Sequence, residues 1–266
     1  MVYDNVREVA VLFGGWVASP VSETWEYHDQ CNYWSQVTTA NSPPARVWYS
    51  LVYDGKRQRI VLFGGLDPKT NTYFNDTWEY DGLDWKQITT STSPPERSAR
   101  TMVFDSGRNR TVLVGGDGPG GGYNVTWEYD GIDWSLITTM ASLPAPGPMA
   151  AMAYDKARSR TVLSFHDGTS QLQTWEYDGS SWLKANTPSS PLGRWAHTMA
   201  YDMISQRIML FGGTSPYNSS ELPMNDTWQF DGSSWTEIVT PKTPPPADQH
   251  AMAFDTRNGR ILILNW

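Results

Sequence analysis

The sequence is poor in cysteine, in net positive charge and in long apolar runs. Its 266 residues include one cysteine, Cys31. A single cysteine excludes an intramolecular disulfide and any metal site built from several cysteines. Lone cysteines are more often small buried apolar residues than nucleophiles, so Cys31 is predicted to be buried.

Charge and hydropathy exclude two classes of partner. Lys and Arg number 20 against 28 Asp and Glu, which gives a formal net charge of −8. General nucleic-acid binding needs clustered positive charge, so no nucleic-acid partner is predicted. No apolar run approaches the ~20 residues that a membrane helix requires, so no membrane insertion is predicted. The N-terminal residues also lack the basic-then-apolar order of a signal peptide.

Two sequence markers recur with a period close to 50 residues. An aromatic residue followed by Asp ends the first apolar run of each unit, at positions 3–4, 53–54, 104–105, 154–155, 201–202 and 254–255. A second marker, Trp followed by Glu or Gln and an aromatic, starts at Trp25, Trp78, Trp127, Trp175 and Trp228. Two independent markers with one period indicate a repeat architecture.

Each complete unit contains four strand-like runs. In the second unit they are 48–54, 59–65, 76–82 and 84–90, rich in β-branched and aromatic residues and bounded by Gly, Asp and Asn. Short links between the runs force antiparallel neighbours. No stretch has the 3.6-residue rhythm of an amphipathic helix. Four antiparallel strands repeated at this period predict an all-β propeller.

The repeat resembles the Kelch motif of the galactose-oxidase/Kelch superfamily. Gly-Gly follows the second run at 14–15, 64–65, 115–116 and 212–213, and a Trp lies in the fourth run at Trp34, Trp85, Trp134, Trp182 and Trp235. The Thr-Trp-Glu-Tyr-Asp-Gly third strand is similar to that of bacterial Kelch-type propellers. This resemblance implies an exported, extracellular or periplasmic bacterial protein.

The sixth unit is shorter than the others. We predict one domain over 1–266, a six-bladed propeller of five four-stranded blades plus two strands, with approximate blades 1–42, 43–93, 94–144, 145–190, 191–243 and 244–266. The chain is interpreted as a fragment of a longer protein. The alternative is a ring closed by a half-blade, whose unpaired edge could mediate self-association.

Repeated charged residues are interpreted as structural. Asp at the end of the first strand is followed by Arg, as in Asp54 and Arg57, which predicts turn hydrogen bonds within the hairpin. The third strands carry Glu26, Glu79, Glu128 and Glu176. A buried Glu needs a partner. The hypothesis is that the partners are Arg46, Arg97 and Arg194, seven positions before the first-strand aromatic.

The loops between second and third strands are long and unlike one another. Together with the links between units they form what we call the long-loop face, where recognition by repeat proteins is expected. Ten of the 14 Trp occupy repeat positions in the third and fourth strands. The aromatic residues left for this face are Trp16, Trp48, Trp195, Trp266, Tyr49, Tyr73, Tyr123 and Tyr217. Their alternative role is to pack the loops together.

A second set of candidates shares one register, four positions before the first-strand aromatic. It comprises Tyr49, Arg100, Ala150, His197 and His250 and is predicted to ring one end of the central channel. His197 and His250, with Asp248 and His166 nearby, could bind a metal or move a proton. The common Zn-binding spacings are absent, so no cofactor is predicted.

The predicted function is non-catalytic binding of a glycan or a protein partner. The central residues are Trp48, Tyr49, Arg100, Trp195, His197 and His250, with Trp16, Tyr73, Tyr123 and Tyr217 around them. The alternative is a sugar-modifying enzyme at the channel mouth, similar to the sialic-acid mutarotases or the copper oxidases of the superfamily. A shared fold is weak evidence for a shared activity.

Overall fold

The computed structural model describes residues 1–98, 101–139, 143–144, 146, 149–218 and 223–265, and for Val17 the backbone alone. Its regular structure in these ranges consists of antiparallel β-strands without a helix, which confirms the all-β prediction. Nothing in the described ranges forms a helix of the length and apolarity that crossing a bilayer demands.

The first three units are four-stranded sheets, each with a small two-stranded ribbon in its long loop. Blade one contains β1 (Val2–Asp4), β2 (Val9–Phe13), the ribbon β3 (Trp16–Val17) and β4 (Ser19–Pro20), β5 (Thr24–His28) and β6 (Tyr33–Val37). Blade two contains β7 (Ser50–Asp54), β8 (Arg59–Phe63), the ribbon β9 (Leu66–Asp67) and β10 (Thr72–Tyr73), β11 (Thr77–Tyr80) and β12 (Trp85–Ile88). Blade three contains β13 (Met102–Asp105), β14 (Arg110–Val114), the ribbon β15 (Asp117–Gly118) and β16 (Gly121–Gly122), β17 (Thr126–Tyr129) and β18 (Trp134–Ile137).

The fourth and fifth units are four-stranded without a ribbon in the described residues. Blade four contains β19 (Ala151–Asp155), β20 (Arg160–Phe165), β21 (Gln173–Tyr177) and β22 (Trp182–Lys184). Blade five contains β23 (Thr198–Asp202), β24 (Arg207–Phe211), β25 (Thr227–Phe230) and β26 (Trp235–Glu237). The sequence predicted the four strands of each blade but not the ribbons, because two-residue strands carry no alternating pattern.

The described residues form five blades, so the predicted count of six is wrong, whereas the predicted composition of five four-stranded blades plus two strands is confirmed. The two remaining strands, β27 (Ala251–Asp255) and β28 (Arg260–Leu264), form a hairpin. We call it the C-terminal hairpin. Its strand β27 contacts both β23 and β1, so six first strands surround the axis although only five carry a blade. The hairpin is fastened to blade one by Arg260, which donates to Asp29.

Two further sequence predictions need correction. Cys31 is exposed, because it lies in the tight turn between β5 and β6 where side chains point into solvent. The first strand of blade two begins at Ser50 rather than at 48. Trp48 has φ of 54°, which takes the backbone out of the β region before the strand starts.

An arginine in the first hairpin of blades one to four connects each blade to the next one. In blade two, Asp54 accepts hydrogen bonds from the Arg57 backbone N–H at 3.0 Å and from its Nε at 2.7 Å. Arg57 Nη1 donates to Glu79 in the same blade, and the phenol of Tyr129 in the next blade donates to Glu79 at 2.8 Å. The predicted turn bonds between Asp and Arg are therefore confirmed.

The predicted partners of the Glu series are wrong. Glu26, Glu79, Glu128 and Glu176 pair with the hairpin arginines Arg7, Arg57, Arg108 and Arg158. Arg46 and Arg194 pair with Asp76 and Asp226 instead. The reason is position: the hairpin arginines lie at the short-turn end of the sheet, where the Glu side chain points, whereas Arg46 and Arg194 lie at the long-loop end.

A second contact repeats between blades at the tryptophan of the fourth strand. In blades two to five this Trp donates its Nε1–H at 2.8–2.9 Å to the threonine that directly precedes the third-strand Trp of the preceding blade. The four donors, Trp85, Trp134, Trp182 and Trp235, are at most 1% exposed. Apolar side chains of adjoining blades fill the space around them, so the cores lie between blades.

We expect Glu79→Ala to lower the free energy of unfolding by about 1–3 kcal/mol, because it removes one of the two carboxylates that pair with Arg57 and leaves Asp54 as the remaining counter-charge. Tyr129 would also lose the acceptor of its phenol. Urea denaturation measures this loss.

Gln229→Ala is the matched control, since Gln229 stands at the same strand position in blade five, where Ser205 replaces the hairpin arginine. We expect this change to cost less than about 1 kcal/mol. Equal losses for the two variants would show that the ionic network contributes nothing specific.

Candidate functional site

The six first strands enclose a central channel with a cavity of about 1110 Å³. Its wall is mostly apolar and consists of Val, Leu, Ala and Met side chains from these strands. At the long-loop face the cavity opens into a mouth lined by Trp16, Trp48, Asp248 and Gln249. We call this opening the channel mouth. A concave, mostly apolar surface with a few polar groups at its opening is the usual form of a binding site, which makes the channel mouth the leading candidate.

Two tryptophans stand exposed at the channel mouth. Trp16 is 57% exposed and Trp48 is 38% exposed. Trp48 adopts φ of 54°, in the left-handed region that favours glycine. Ala196 and Gln249 have the same conformation at the same repeat position, so the turn belongs to the fold. A bulky ring in this conformation does not help folding, and its exposure points to a role in contact with something else.

Tyr49, His197 and His250 line the cavity but already join neighbouring units. The Tyr49 phenol donates to the carbonyl oxygen of Phe13 in blade one. His197 Nε2 is 2.6 Å from the Ser164 hydroxyl of blade four, and His250 Nε2 bonds the Thr198 hydroxyl of blade five. Each residue thus links its own unit to the preceding one at the same height of the channel.

The two histidines are buried and their geometry does not suit a metal. Each is 3% exposed. Burial, together with the charge of Arg194 and the nearby His250, lowers the pKa of His197 to about 3, so its ring is neutral at pH 7. Asp248 accepts from the Thr214 hydroxyl at 3.0 Å. Across the described ranges no three His, Cys, Asp or Glu side chains gather in a set that could hold a metal ion.

Trp195 lies in a different place from Trp48. Its ring is 4.9 Å from that of His166, edge to face, and the His166 ring is 5.7 Å from that of Tyr217. Tyr217 donates its phenol to the Gly168 carbonyl at 2.7 Å. Trp195 and Tyr217 are 40% and 42% exposed. This rim cluster, formed by Trp195, His166 and Tyr217, lies between the long loops of blades four and five and does not line the cavity.

The other aromatic candidates have packing roles. Tyr73 is half-buried in β10 and pairs with Leu66. Tyr123 lies under the guanidinium of Arg97, 4.1 Å from the ring centre. The predicted residues Arg100 and Trp266 lie outside the described residues.

Sequence reasoning missed two residues of the channel mouth. Met149 is 36% exposed and Gln249 is exposed, and both line the cavity. Both stand in the same repeat position as Trp48, five before the first-strand aromatic. That shared register marks both residues in the sequence, but neither is aromatic, so neither appears among the tryptophans and tyrosines outside the repeat positions.

The buried neutral His197 should make the fold sensitive to acid. The unfolded chain binds a proton near pH 6.5, whereas the folded chain binds it only near pH 3. Below pH 6.5 the unfolded state therefore holds more protons than the folded state. For each unit by which the pH falls, His197 then lowers the free energy of unfolding by about 1.4 kcal/mol. Urea denaturation between pH 7 and pH 4, compared with His197→Gln, measures the difference in slope. Parallel profiles for the two proteins would contradict the assignment.

Comparison with known proteins supports the Kelch resemblance. The chain matches the KLHDC2/KLHL20/DRC7 Kelch-repeats domain over residues 3–182, which is about two thirds of its length. It is 29% identical over 124 residues to dynein regulatory complex subunit 7 of Chlamydomonas reinhardtii, covering 44% of this chain and 10% of that protein.

Two other relatives show the same partial overlap. Host cell factor 1 of Homo sapiens is 29% identical over 117 residues, 42% of this chain and 6% of that protein. The dynein alpha chain of the Chlamydomonas reinhardtii flagellar outer arm is 30% identical over 94 residues, 34% of this chain and 2% of that protein. The chain thus spans a tenth or less of the length of these relatives.

Proposed function

This chain belongs to the KLHDC2/KLHL20/DRC7 Kelch-repeats domain family, and from that premise we propose that it binds a protein partner at the channel mouth. The observation that carries the proposal is the exposed Trp48 side chain in a left-handed turn, beside the exposed Trp16 and above a cavity of about 1110 Å³. Large rings at the centre of a concave surface are typical anchors of protein interfaces.

The surroundings of the two rings support a binding role. The mouth is built on first strands that are tied to one another by Tyr49, His197 and His250. A ring of fixed residues keeps the mouth in one shape, so a partner loses less entropy when it binds. One relative is by name a subunit of the dynein regulatory complex, and assembly with other proteins is what that name states.

The finer alternatives remain predictions. Trp16 and Trp48 could also stack on the rings of a glycan, as bacterial Kelch-type propellers would imply. A sugar-modifying enzyme at the mouth would need a residue able to carry a proton. His197 and His250 are buried and each bonds a hydroxyl of the neighbouring unit, which favours binding over catalysis.

We expect Trp48→Gly to weaken partner binding by at least tenfold while the free energy of unfolding stays within about 1 kcal/mol of the unchanged protein, because glycine suits the left-handed turn. Photo-crosslinking from position 149, which lies at the channel mouth and leaves Trp48 in place, followed by titration of the purified partner against both proteins, measures the first effect. Urea denaturation measures the second.

One control changes a residue at the same repeat position as Trp48, and the other tests the opposite face of the propeller. Ala196→Gly changes a buried residue in the same left-handed conformation and should leave binding intact. A crosslinker at Leu83, which is 78% exposed in the turn of blade two, tests the opposite face. Capture of the same protein by the crosslinkers at both positions would overturn the proposal. Saturable binding of a glycan, with no protein captured, would also overturn it.

A second candidate function is self-association through the C-terminal hairpin. Strand β28 is apolar from Ile261 to Leu264, and these side chains are half-exposed, whereas the matching side chains of β8 are buried. Trp34 in blade one is also only half-buried, unlike its four equivalents. A second copy of the chain could pair its β28 antiparallel to this one, since identical edges satisfy two-fold symmetry.

Sedimentation velocity over a wide range of concentration tests this pairing. We expect a monomer–dimer equilibrium that Ile263→Lys abolishes, because a charge on an edge strand blocks further pairing. Ile204→Lys, at a turn position that is 74% exposed, is the matched control and should leave the dimer unchanged. If only the monomer is observed at every concentration, the proposed pairing is wrong.

A further inference from the structure

Blades two and five hold a buried arginine at the long-loop end in the same way. Arg46 donates its Nε to the Pro44 carbonyl at 2.9 Å and its Nη1 to the Gly64 carbonyl at 2.9 Å. Its Nη1 and Nη2 also meet the two oxygens of Asp76 at 2.5 and 2.8 Å. Trp78 donates its indole N–H to the same carboxylate at 2.7 Å. One carboxylate therefore satisfies donors from an arginine and a tryptophan.

Blade five repeats this arrangement with other residues. Arg194 bonds the carbonyls of Leu192 and Gly212 at 3.0 and 3.1 Å. Its Nη1 and Nη2 lie 2.7 and 2.8 Å from the oxygens of Asp226, and Trp228 donates to Asp226 at 2.6 Å. The carboxylate position is thus a feature of the blade rather than of one sequence.

Blade three keeps the donors but lacks the carboxylate. Arg97 bonds the carbonyls of Pro95 and Gly115 at 3.0 and 2.9 Å, as its equivalents do. The residue two before the third-strand Trp is Val125 instead of Asp. Arg97 Nη2 and Trp127 Nε1 are both buried, and neither has an acceptor among the described residues. These are the two donors that converge on the Asp oxygen in blades two and five.

The cost of this arrangement is considerable. Arg97 is 0% exposed and stacks on the ring of Tyr123. Burial lowers the pKa of Arg97 to about 10, so the guanidinium is still charged at neutral pH. A buried charge without a counter-charge is strongly unfavourable, and so is a buried indole N–H without an acceptor. An anion that reached both donors would remove both penalties.

We propose that Arg97 and Trp127 form a carboxylate-binding site in blade three, in which a ligand carboxylate takes the position that Asp76 and Asp226 occupy in their blades. That position lies close to the surface, because the Asp76 and Asp226 side chains are 15% and 21% exposed and Val125, their equivalent in blade three, is only half-buried. The adjoining ribbon is open above Gly120 and Gly121, where an added Cβ would meet no atom within 4 Å. A planar guanidinium and a neighbouring N–H donor match the two oxygens of a carboxylate.

The carboxylate could come from a small free acid or from an Asp or Glu side chain of a protein partner. Neither Arg97 nor Trp127 lines the channel cavity. The site is therefore separate from the channel mouth, and the tests of this site and of the proposed function are independent of each other.

The first test supplies the carboxylate from within the chain. We expect Val125→Asp to melt at least about 4 °C above Val125→Asn, because the two variants lose the same apolar contacts but only Asp neutralises Arg97. Equal melting temperatures, or a lower one for Val125→Asp, would contradict the proposal.

The second test supplies formate to the unchanged protein. The indole N–H signal of Trp127, assigned with Trp127→Phe, should move on titration with sodium formate, and the melting temperature should rise with formate concentration. Val125→Asp should show neither response. Asp76→Val, which gives Arg46 the surroundings of Arg97, should gain a response at Trp78. A response of the same size in the unchanged protein and in Val125→Asp would mean a general salt effect and would overturn the site.

The two sources of the carboxylate are distinguished by the same titration with a short peptide that has blocked ends and one Asp. A shift of the Trp127 signal by formate and by the peptide identifies a site that accepts a protein side chain. A shift by formate alone identifies a site for small acids. If neither moves the signal, the proposal is wrong.

Discussion

The structure depends on one charged side chain per junction, the arginine of the first hairpin. In blades one to four this arginine neutralises an Asp of its own turn and a Glu of its own third strand, and lies over the aromatic ring of the next blade. That ring carries a phenol which donates to the same Glu at three of the four junctions. The ion pairs form within one blade, and docking of the next blade covers the guanidinium with a ring and supplies the phenol donor, so sheet formation and blade packing support each other.

The junctions change towards the C-terminal hairpin. Blade four offers the same arginine and Glu, but Phe230 replaces the phenol of the next blade. Blade five has Ser205 and Gln229 in place of the charged pair. The C-terminal hairpin instead contacts blade one through Asn258 and Arg260, which both bond Asp29. Charge is thus present at the four junctions between complete blades and is replaced by neutral groups at the junction between blade five and the C-terminal hairpin.

Departures from the repeat identify the surfaces with functional potential. Trp48 stands where the backbone favours glycine, His166 stands where Gly-Gly is expected, and Val125 stands where two sister blades have Asp. None of these choices improves folding at its position. The repeat therefore serves as an internal reference, because the same backbone environment occurs several times and the unusual residue is visible against its equivalents.

The sequence by itself determined the all-β architecture, the four strands of each blade and the hairpin role of Asp and Arg, because these follow from local periodicity and from turns of a few residues. Only the tertiary structure decided the partners of the Glu series and the separation of Trp48 from Trp195. It also decided that His197 and His250 fasten neighbouring units. Those properties depend on how one blade is rotated against the next, and residues about 50 positions apart in the chain meet only after the ring has formed.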